Sequence, residues 1–310
     1  MDVFFAILIQ VMVPIFSLIA IGAYLHRKFT LDMKTLSKLN TYLLIPAVCF
    51  VNVYKSEMGG EALSLILLFL VIQNSILIII SAAVAKAAGF DHRLTSTFKN
   101  SVVLSNNGNF GLPISQVVFA QHPIGVTVQV IVLLFQNILT FTYGLFNAVS
   151  AEKKGLQSLS FLLKNPVIYA LLLAVCLKVF SIAIPSFLFT PIENIADAFL
   201  AMALVTLGAQ SAFIKLYRFQ KPLLMSLAGR LLLSPCIGLL VIFLLNLDGI
   251  IAQALFIASA FPTSRNSSIF ALEYNNYPEY AAQTVLISTI FSMVTVTIVV
   301  YTARILFPLY

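Results

Sequence analysis

Residues 105–113 read SNNGNFGLP: three asparagines, two glycines and a proline, with no charge among them. SVVL precedes the stretch and ISQVVFA follows it, so it lies inside a hydrophobic segment. In lipid an unpaired backbone amide or carbonyl costs several kcal/mol. A spanning helix is therefore broken only where protein or a water-filled cavity satisfies the freed groups.

The composition sets the solvent. Of 310 residues 60% are hydrophobic and 9% charged, with a mean hydropathy of +1.02. A soluble domain carries about 25% charged residues, so this chain lacks the polar surface to meet water on all sides and reads as an all-α integral membrane protein. Cys49, Cys176 and Cys236 all sit in apolar runs and are expected to be small buried packing residues, without a disulfide framework or metal-ligand spacing. His26, His92 and His122 fall near span ends, and GNFG lacks the Lys-Ser/Thr that follows a phosphate loop. No catalytic set, metal site or cofactor is expected. The opening MDVFFAILIQ reads as a first span and not as a cleaved leader.

About 20 apolar residues cross the roughly 30 Å of hydrocarbon. Ten runs qualify, near 3–25, 35–54, 62–88, 94–120, 124–149, 166–183, 191–213, 222–245, 250–274 and 281–307. None shows the period-two alternation of an outer-membrane barrel. With the first span running inward, Arg27, Lys28, Lys34, Lys38, Lys86, Arg93, Lys99, Lys153, Lys154, Lys164, Lys215, Arg218 and Lys221 fall on the cytoplasmic side. Lys55, Lys178 and Arg304 fall outside, while Arg230 and Arg265 lie within spans. The positive-inside rule then places both termini outside the cytoplasm. The net charge of +7 is thereby explained as topology, and no nucleic-acid partner is needed.

SAEKKGLQSLS (150–160) divides the spans five and five, giving a first repeat over 1–150, a short cytoplasmic linker at 151–160 and a second repeat over 161–310. An odd number of spans per half starts the second half on the opposite side, so halves of like fold form an inverted repeat. The fourth span of the first half carries SNNGNFGLPIS, and the fourth of the second carries SAFPTSRNSSIF. Pro113 and Pro262 are thus about half a chain apart. Matched breaks in inverted halves are the sequence pointer to a transporter's central site.

The candidate substrate-binding residues lie in and beside these breaks. Asn106, Asn107 and Asn109 donate and accept without ionising. Asn106 is the one expected to touch substrate, the other two being as readily structural. Gly108 and Gly111 are expected to let the chain leave helical geometry, and Pro113 to mark where the second half-helix resumes. Pro262, Thr263, Arg265 and Asn266 form the second break. A charge near mid-bilayer costs about 2.5–3.5 kcal/mol on insertion scales, so Arg265 is expected to face a cavity and grip a carboxylate, or to take a structural partner. Gln136 and Asn137, with Gln73 and Asn74, either bond neighbouring helices or line the site. Arg230, eight residues inside its span, reads as a snorkelling or inter-helix residue. Asp197, Glu193 and Glu273 fall at span ends.

The same motifs resemble the auxin efflux carrier family, which includes the plant auxin exporters and bacterial permeases. VPIFSLIAIGAYLHRK resembles the family's first span. LNTYLLIPAVCF supplies Asn40 and Pro46 of the second, and NNGNFGLP is similar to its fourth-span crossover. KNPVIYALL (Asn165, Pro166), TLGAQ (Gly208), GRLLLSP (Arg230, Pro235) and FPTSRNSSIFALEYNNYP follow in the family's order. The resemblance implies ten transmembrane helices with crossed broken helices 4 and 9, as in sodium/proton antiporters and bile-acid symporters. It implies a scaffold of helices 1, 2, 6 and 7 that forms a homodimer, and a transport domain of helices 3–5 and 8–10. Two departures matter. SAEKKGLQSLS is too short for the exporters' regulatory loop, and Ser267 and Arg265 replace a proline and an apolar residue. A bacterial-type organic-acid permease of the inner membrane fits better than an auxin exporter.

Three functions follow as expectations. The first is a secondary active or facilitative carrier of a small organic anion (a carboxylate or auxin-like acid) by alternating access at the crossover. The second is a sodium- or proton-coupled symporter or antiporter of the same fold. The third, a non-transporting receptor or intramembrane enzyme, lacks both a signalling domain and a catalytic constellation. The breaks hold no Asp or Glu, which argues against exchange through a carboxylate, while a sodium site of carbonyls and hydroxyls stays open.

Overall fold

The computed structural model describes Ile9 and residues 13–56, 59–150, 166–212 and 220–308. The described residues form helices and no strand, and each apolar run contains helix. We label them α1 (Val13–Phe29), α2 (Met33–Lys55), α3 (Gly60–Ala87) and α4 (His92–Val103). The second part of the fourth span is α5, which winds through Asn107–Gly111 and continues as Leu112–Val118. There follow α6 (Pro123–Val149), α7 (Pro166–Val179), α8 (Ser186–Ser211) and α9 (Lys221–Leu244). The ninth span is split into α10 (Gly249–Ser259) and α11 (Arg265–Glu273), and α12 (Pro278–Leu306) closes the order.

Six of these helices, α2, α3, α6, α8, α9 and α12, are long and apolar enough to cross a membrane unaided. The fourth and ninth runs fall short because they are broken, and α7 stops after 14 residues. Large apolar side chains also face outward: Phe180 and Phe187 are each 73% exposed. Such a surface is stable against lipid and not against water. The linker over 151–160, with Lys153, Lys154, Lys164, Asn165, Lys215 and Arg218, lies outside the described residues.

Contacts divide the chain into two compact units. One comprises Met1–Met58, Gly108–Leu134 and Leu162–Ile214; the other comprises Gly59–Asn107, Phe135–Phe161 and Lys215–Tyr310.

In the first unit α1 packs on α8 backbone to backbone. A Cβ on Gly22 would stand 2.0 Å from the Val205 carbonyl oxygen, and one on Gly208 would stand 1.9 Å from that of Ile19. Membrane helices gain their packing energy from such close approaches, which only small residues permit. Buried Asn40 donates to Thr206 Oγ1 at 3.0 Å, and Arg27 Nε donates to the Ala212 carbonyl at 2.9 Å. Lys55, at the end of α2, pairs with Glu193 of α8.

In the second unit Leu223, Leu227 and Leu231 of α9 pack on Tyr280 and Ile287 of α12, with Leu94 of α4 against them. A hydroxyl chain runs beside them, Ser101 to Ser226 at 2.7 Å and Ser226 to Tyr280 at 2.5 Å.

Three intra-span prolines share one solution. Pro46, Pro113 and Pro235 are each the second residue of an α segment that directly follows a five-residue π-turn, at Asn40–Leu44, Asn107–Gly111 and Gly229–Leu233. Proline has no N–H for the carbonyl four residues back and its ring crowds that carbonyl. The helix is wound one residue wider just ahead of the proline: the Ile45 amide reaches Asn40 O, and that of Ser234 reaches Gly229 O, each five residues back. A fourth π-turn, Thr140–Gly144, contains no proline; there Asn100 Nδ2 donates to the Gly144 carbonyl at 2.8 Å.

Two expectations need correction. Only Cys49 is buried, whereas Cys176 and Cys236 are exposed. A small apolar side chain is as well placed against lipid as in a core, so position in an apolar run does not distinguish the two. Nor do Gly108 and Gly111 release the chain from helical geometry. Gly111 has φ −67° and ψ −47°, and the positive-φ glycines among the described residues are Gly89 and Gly249. The α ladder stops earlier, at Leu104–Asn106, where no glycine stands.

Candidate functional site

The two breaks meet inside the second unit. Ser105 and Thr263 pair as an isolated antiparallel bridge. The Asn106 amide donates to the Pro262 carbonyl, and the Ser264 amide to the Leu104 carbonyl, each at 2.8 Å. Each extended break thus satisfies the backbone groups that the other leaves without a helical partner, which resolves the cost of breaking a helix in lipid.

Thr263 ties the pair to its surroundings. It is fully buried; its hydroxyl donates to Ser101 O at 2.8 Å and its amide to Ser288 Oγ at 3.1 Å. The hydroxyl bond has a clear origin, since the Ser101 carbonyl would have taken the amide of Ser105 had the helix continued. Pro262 is buried and contributes its carbonyl.

The asparagines divide by role. Asn107 Nδ2 donates to Ser105 Oγ at 2.6 Å, a local bond that holds the break. Asn106 is 9% exposed, and its carboxamide makes no hydrogen bond among the described residues. Asn109 is half-buried and, like Pro113, belongs to the first unit. Pro113 is the second residue of an α segment, as expected, but winding has already resumed at Asn107, six residues earlier. The amide end of α5 therefore lies at the asparagines and not at the proline.

Past the second break, Ser264 caps α11 by accepting from the Asn266 amide at 3.3 Å. Arg265 is half-buried at the first position of that helix, and Asn266 follows it. A guanidinium there reinforces the positive end of the helix dipole, where an anion is favoured. No acid lies in either break. Glu273 is exposed at the end of α11, as expected, whereas Asp197, expected near a span end, is exposed midway along α8.

The amides of the third and fifth spans do meet. Gln136 Nε2 donates to Asn74 Oδ1 at 3.0 Å, and Asn74 Nδ2 to Leu70 O at 2.8 Å, while Gln136 Oε1 is buried with no hydrogen-bond partner among the described residues. Gln73 Nε2 reaches Ser234 O at a long 3.4 Å, and Asn137 is half-buried.

The residue that sequence reasoning undervalued is Arg230. Of its two expected readings the structure takes the inter-helix one, for the side chain is only 2% exposed and does not snorkel. Its guanidinium donates to Val102 O at 3.1 Å and Val103 O at 3.4 Å, the last carbonyls of α4, and to Ser259 O at 2.6 Å, the last of α10. Ser234 Oγ joins it on Ser259 O at 2.7 Å. The available signal was GRLLLSP itself, an arginine within an otherwise apolar span with a glycine before it. Gly229 lets α9 approach α4, since a Cβ there would lie 3.0 Å from Val102 Cγ2.

Among the described residues no group of three or more His, Cys, Asp or Glu is placed to hold a metal ion. No curated protein matches the chain. The family model described as membrane transport protein does match, over residues 7–300, nearly the full length and both breaks. The chain is a multi-pass membrane protein, and it belongs to the membrane transport protein family, that of the auxin efflux carriers.

Proposed function

We propose that the protein is a secondary active or facilitative carrier of a small organic anion of carboxylate type, working by alternating access at the paired breaks. The observation that carries this reading is the break pair itself. It is closed on its backbone side, yet offers the unspent carboxamide of Asn106 and the capped amide end of α11 headed by Arg265. Amide N–H groups and a guanidinium favour a carboxylate, and no acid in the breaks opposes it. Asn106 orients the anion and Arg265 supplies charge. Gln136 offers a second polar contact, with Asn107, Pro262, Thr263, Asn266 and Asn137 of the same unit shaping the surroundings.

This reading includes ten spans in two inverted five-span repeats with both termini outside the cytoplasm of a bacterial inner membrane. It also includes a homodimer formed through spans 1, 2, 6 and 7. Support comes from the ten apolar runs, the basic-residue asymmetry and the family membership.

The test is a thermal-shift screen of purified protein against mono- and dicarboxylates, then uptake of the best ligand into proteoliposomes. A ligand at 100 times its Kd stabilises by about 2.7 kcal/mol. Asn106→Ala and Arg265→Ala should lose that ligand shift while remaining folded, and Arg265→Lys should restore it only in part. An undiminished shift in both alanine variants would move the site away from the breaks.

A further inference from the structure

We propose that Arg230 is the resident cation of the break pair. It holds in covalent form the position that a dissociable monovalent ion would otherwise have to fill, and so makes this unit's assembly independent of sodium and potassium.

A helix that stops at mid-membrane leaves its last carbonyls without amide partners and carries roughly half a negative charge at that end. Here two such ends, of α4 and α10, converge on one guanidinium. Two half charges call for one positive charge. Arg230 supplies that unit, buried among groups that are otherwise neutral.

The geometry favours a charge role over a hydrogen-bond role. Arg230 Nε is buried with no partner among the described residues, so the side chain leaves one donor unserved while setting both terminal nitrogens on helix ends. A device chosen for its donors alone would not be placed so. The carbonyl set is of the kind that binds alkali cations: Val102 O, Val103 O and Ser259 O, with Ser234 Oγ beside them. The guanidinium stands 2.6–3.4 Å from the three carbonyl oxygens. An oxygen cage left open by the absence of carboxylates is thus already filled by the chain.

This rests on contacts within one unit and not on the identity of the substrate, so it survives if the organic-anion reading fails. The readout is the thermal midpoint of purified protein in chlorides of sodium, lithium, potassium and choline at equal ionic strength. Wild-type protein should melt at the same temperature in all four. Arg230→Ala should melt about 10 °C lower in choline, and recover in part with millimolar guanidinium and with sodium. Arg230→Gln keeps donors without charge and should stay destabilised, whereas Arg230→Lys should keep most of the wild-type midpoint. If Arg230→Ala cannot be purified folded, the Lys and Gln variants decide. A folded Lys variant beside a destabilised Gln variant supports a resident cation. Equal stability of the two overturns it, as would a sodium-specific rise of the wild-type midpoint or an Arg230→Ala protein indifferent to every added cation.

Discussion

Thr263 donates its hydroxyl to the Ser101 carbonyl at 2.8 Å while its backbone bridges Ser105, so one residue serves both the last turn of α4 and the break that follows it. Thr263→Val keeps the shape and removes the donor, leaving a buried carbonyl unserved. It should destabilise the protein by about 1–3 kcal/mol. Thr263→Ser should be close to wild type. Thermal midpoints of the two variants check this, and equal midpoints would remove the hydroxyl from the account.

The glycines on α1 and α8 give a sharper contrast. Gly208→Ala places a methyl 1.9 Å from a main-chain oxygen that cannot swing aside, so α1 and α8 must separate, at a cost of about 1–3 kcal/mol or more. Gly108→Ala would meet only the ends of Ile45 and Leu133, at 3.5 and 3.6 Å, and should be tolerated despite lying in the motif. Expression level and melting temperature should fall for the first and hold for the second.

Asp91 predicts a pH response outside the spans. Its carboxylate caps α4 through the amides of Arg93 and Leu94, at 2.9 and 3.0 Å, and accepts from the Tyr277 hydroxyl at 2.6 Å. The Tyr277 hydrogen bond, helped by the cap amides, holds the Asp91 carboxyl below its usual value. A carboxyl depressed on folding stabilises above its unfolded pKa of about 3.9, and the contribution fades as pH falls through the lower folded value. Tyr277 is raised by the same partner, so its contribution is complete below about pH 10 and is lost as pH rises through its folded pKa. Asp91→Ala should cost about 0.5–2 kcal/mol at pH 7 through the lost cap. Asp91→Asn, which can still cap, should cost less. Both differences from wild type should shrink below pH 4, which denaturation at two pH values measures.

Gln136 separates stability from transport. Intramembrane amide pairs contribute about 0.6 kcal/mol on average, so Gln136→Leu should barely change the melting temperature. Its buried, unserved Oε1 suits a donor that arrives with water or substrate, and the variant should instead raise the KM for uptake. A stability loss without a transport defect would make the pair purely structural.

Topology is testable by labelling once Cys49, Cys176 and Cys236 are replaced. Gly59→Cys stands in open space and should react only from outside, while Lys34→Cys should react only from the cytoplasm. The reverse pattern would invert the orientation drawn from the basic residues.

Hydropathy and the cost of bare backbone in lipid are properties of composition and order, so the membrane class, the helical runs and the two interruptions were legible in the sequence. The sequence also marked Pro113 as a point where the helix changes, while Pro46 and Pro235 stood out only within the family-like motifs. The π-turn that accommodates each depends on which amide can reach which carbonyl, a matter of winding and not of residue type. Placing Ser105 on Thr263 and Asn74 on Gln136 required the packed structure, since pairing between distant segments leaves no local periodicity to read. Arg230 shows the division most clearly. Its charge within an apolar span was visible in GRLLLSP, but a buried arginine and a snorkelling one have the same sequence. Packing separates them, by bringing two helix ends, with their unpaired carbonyls, to the same guanidinium.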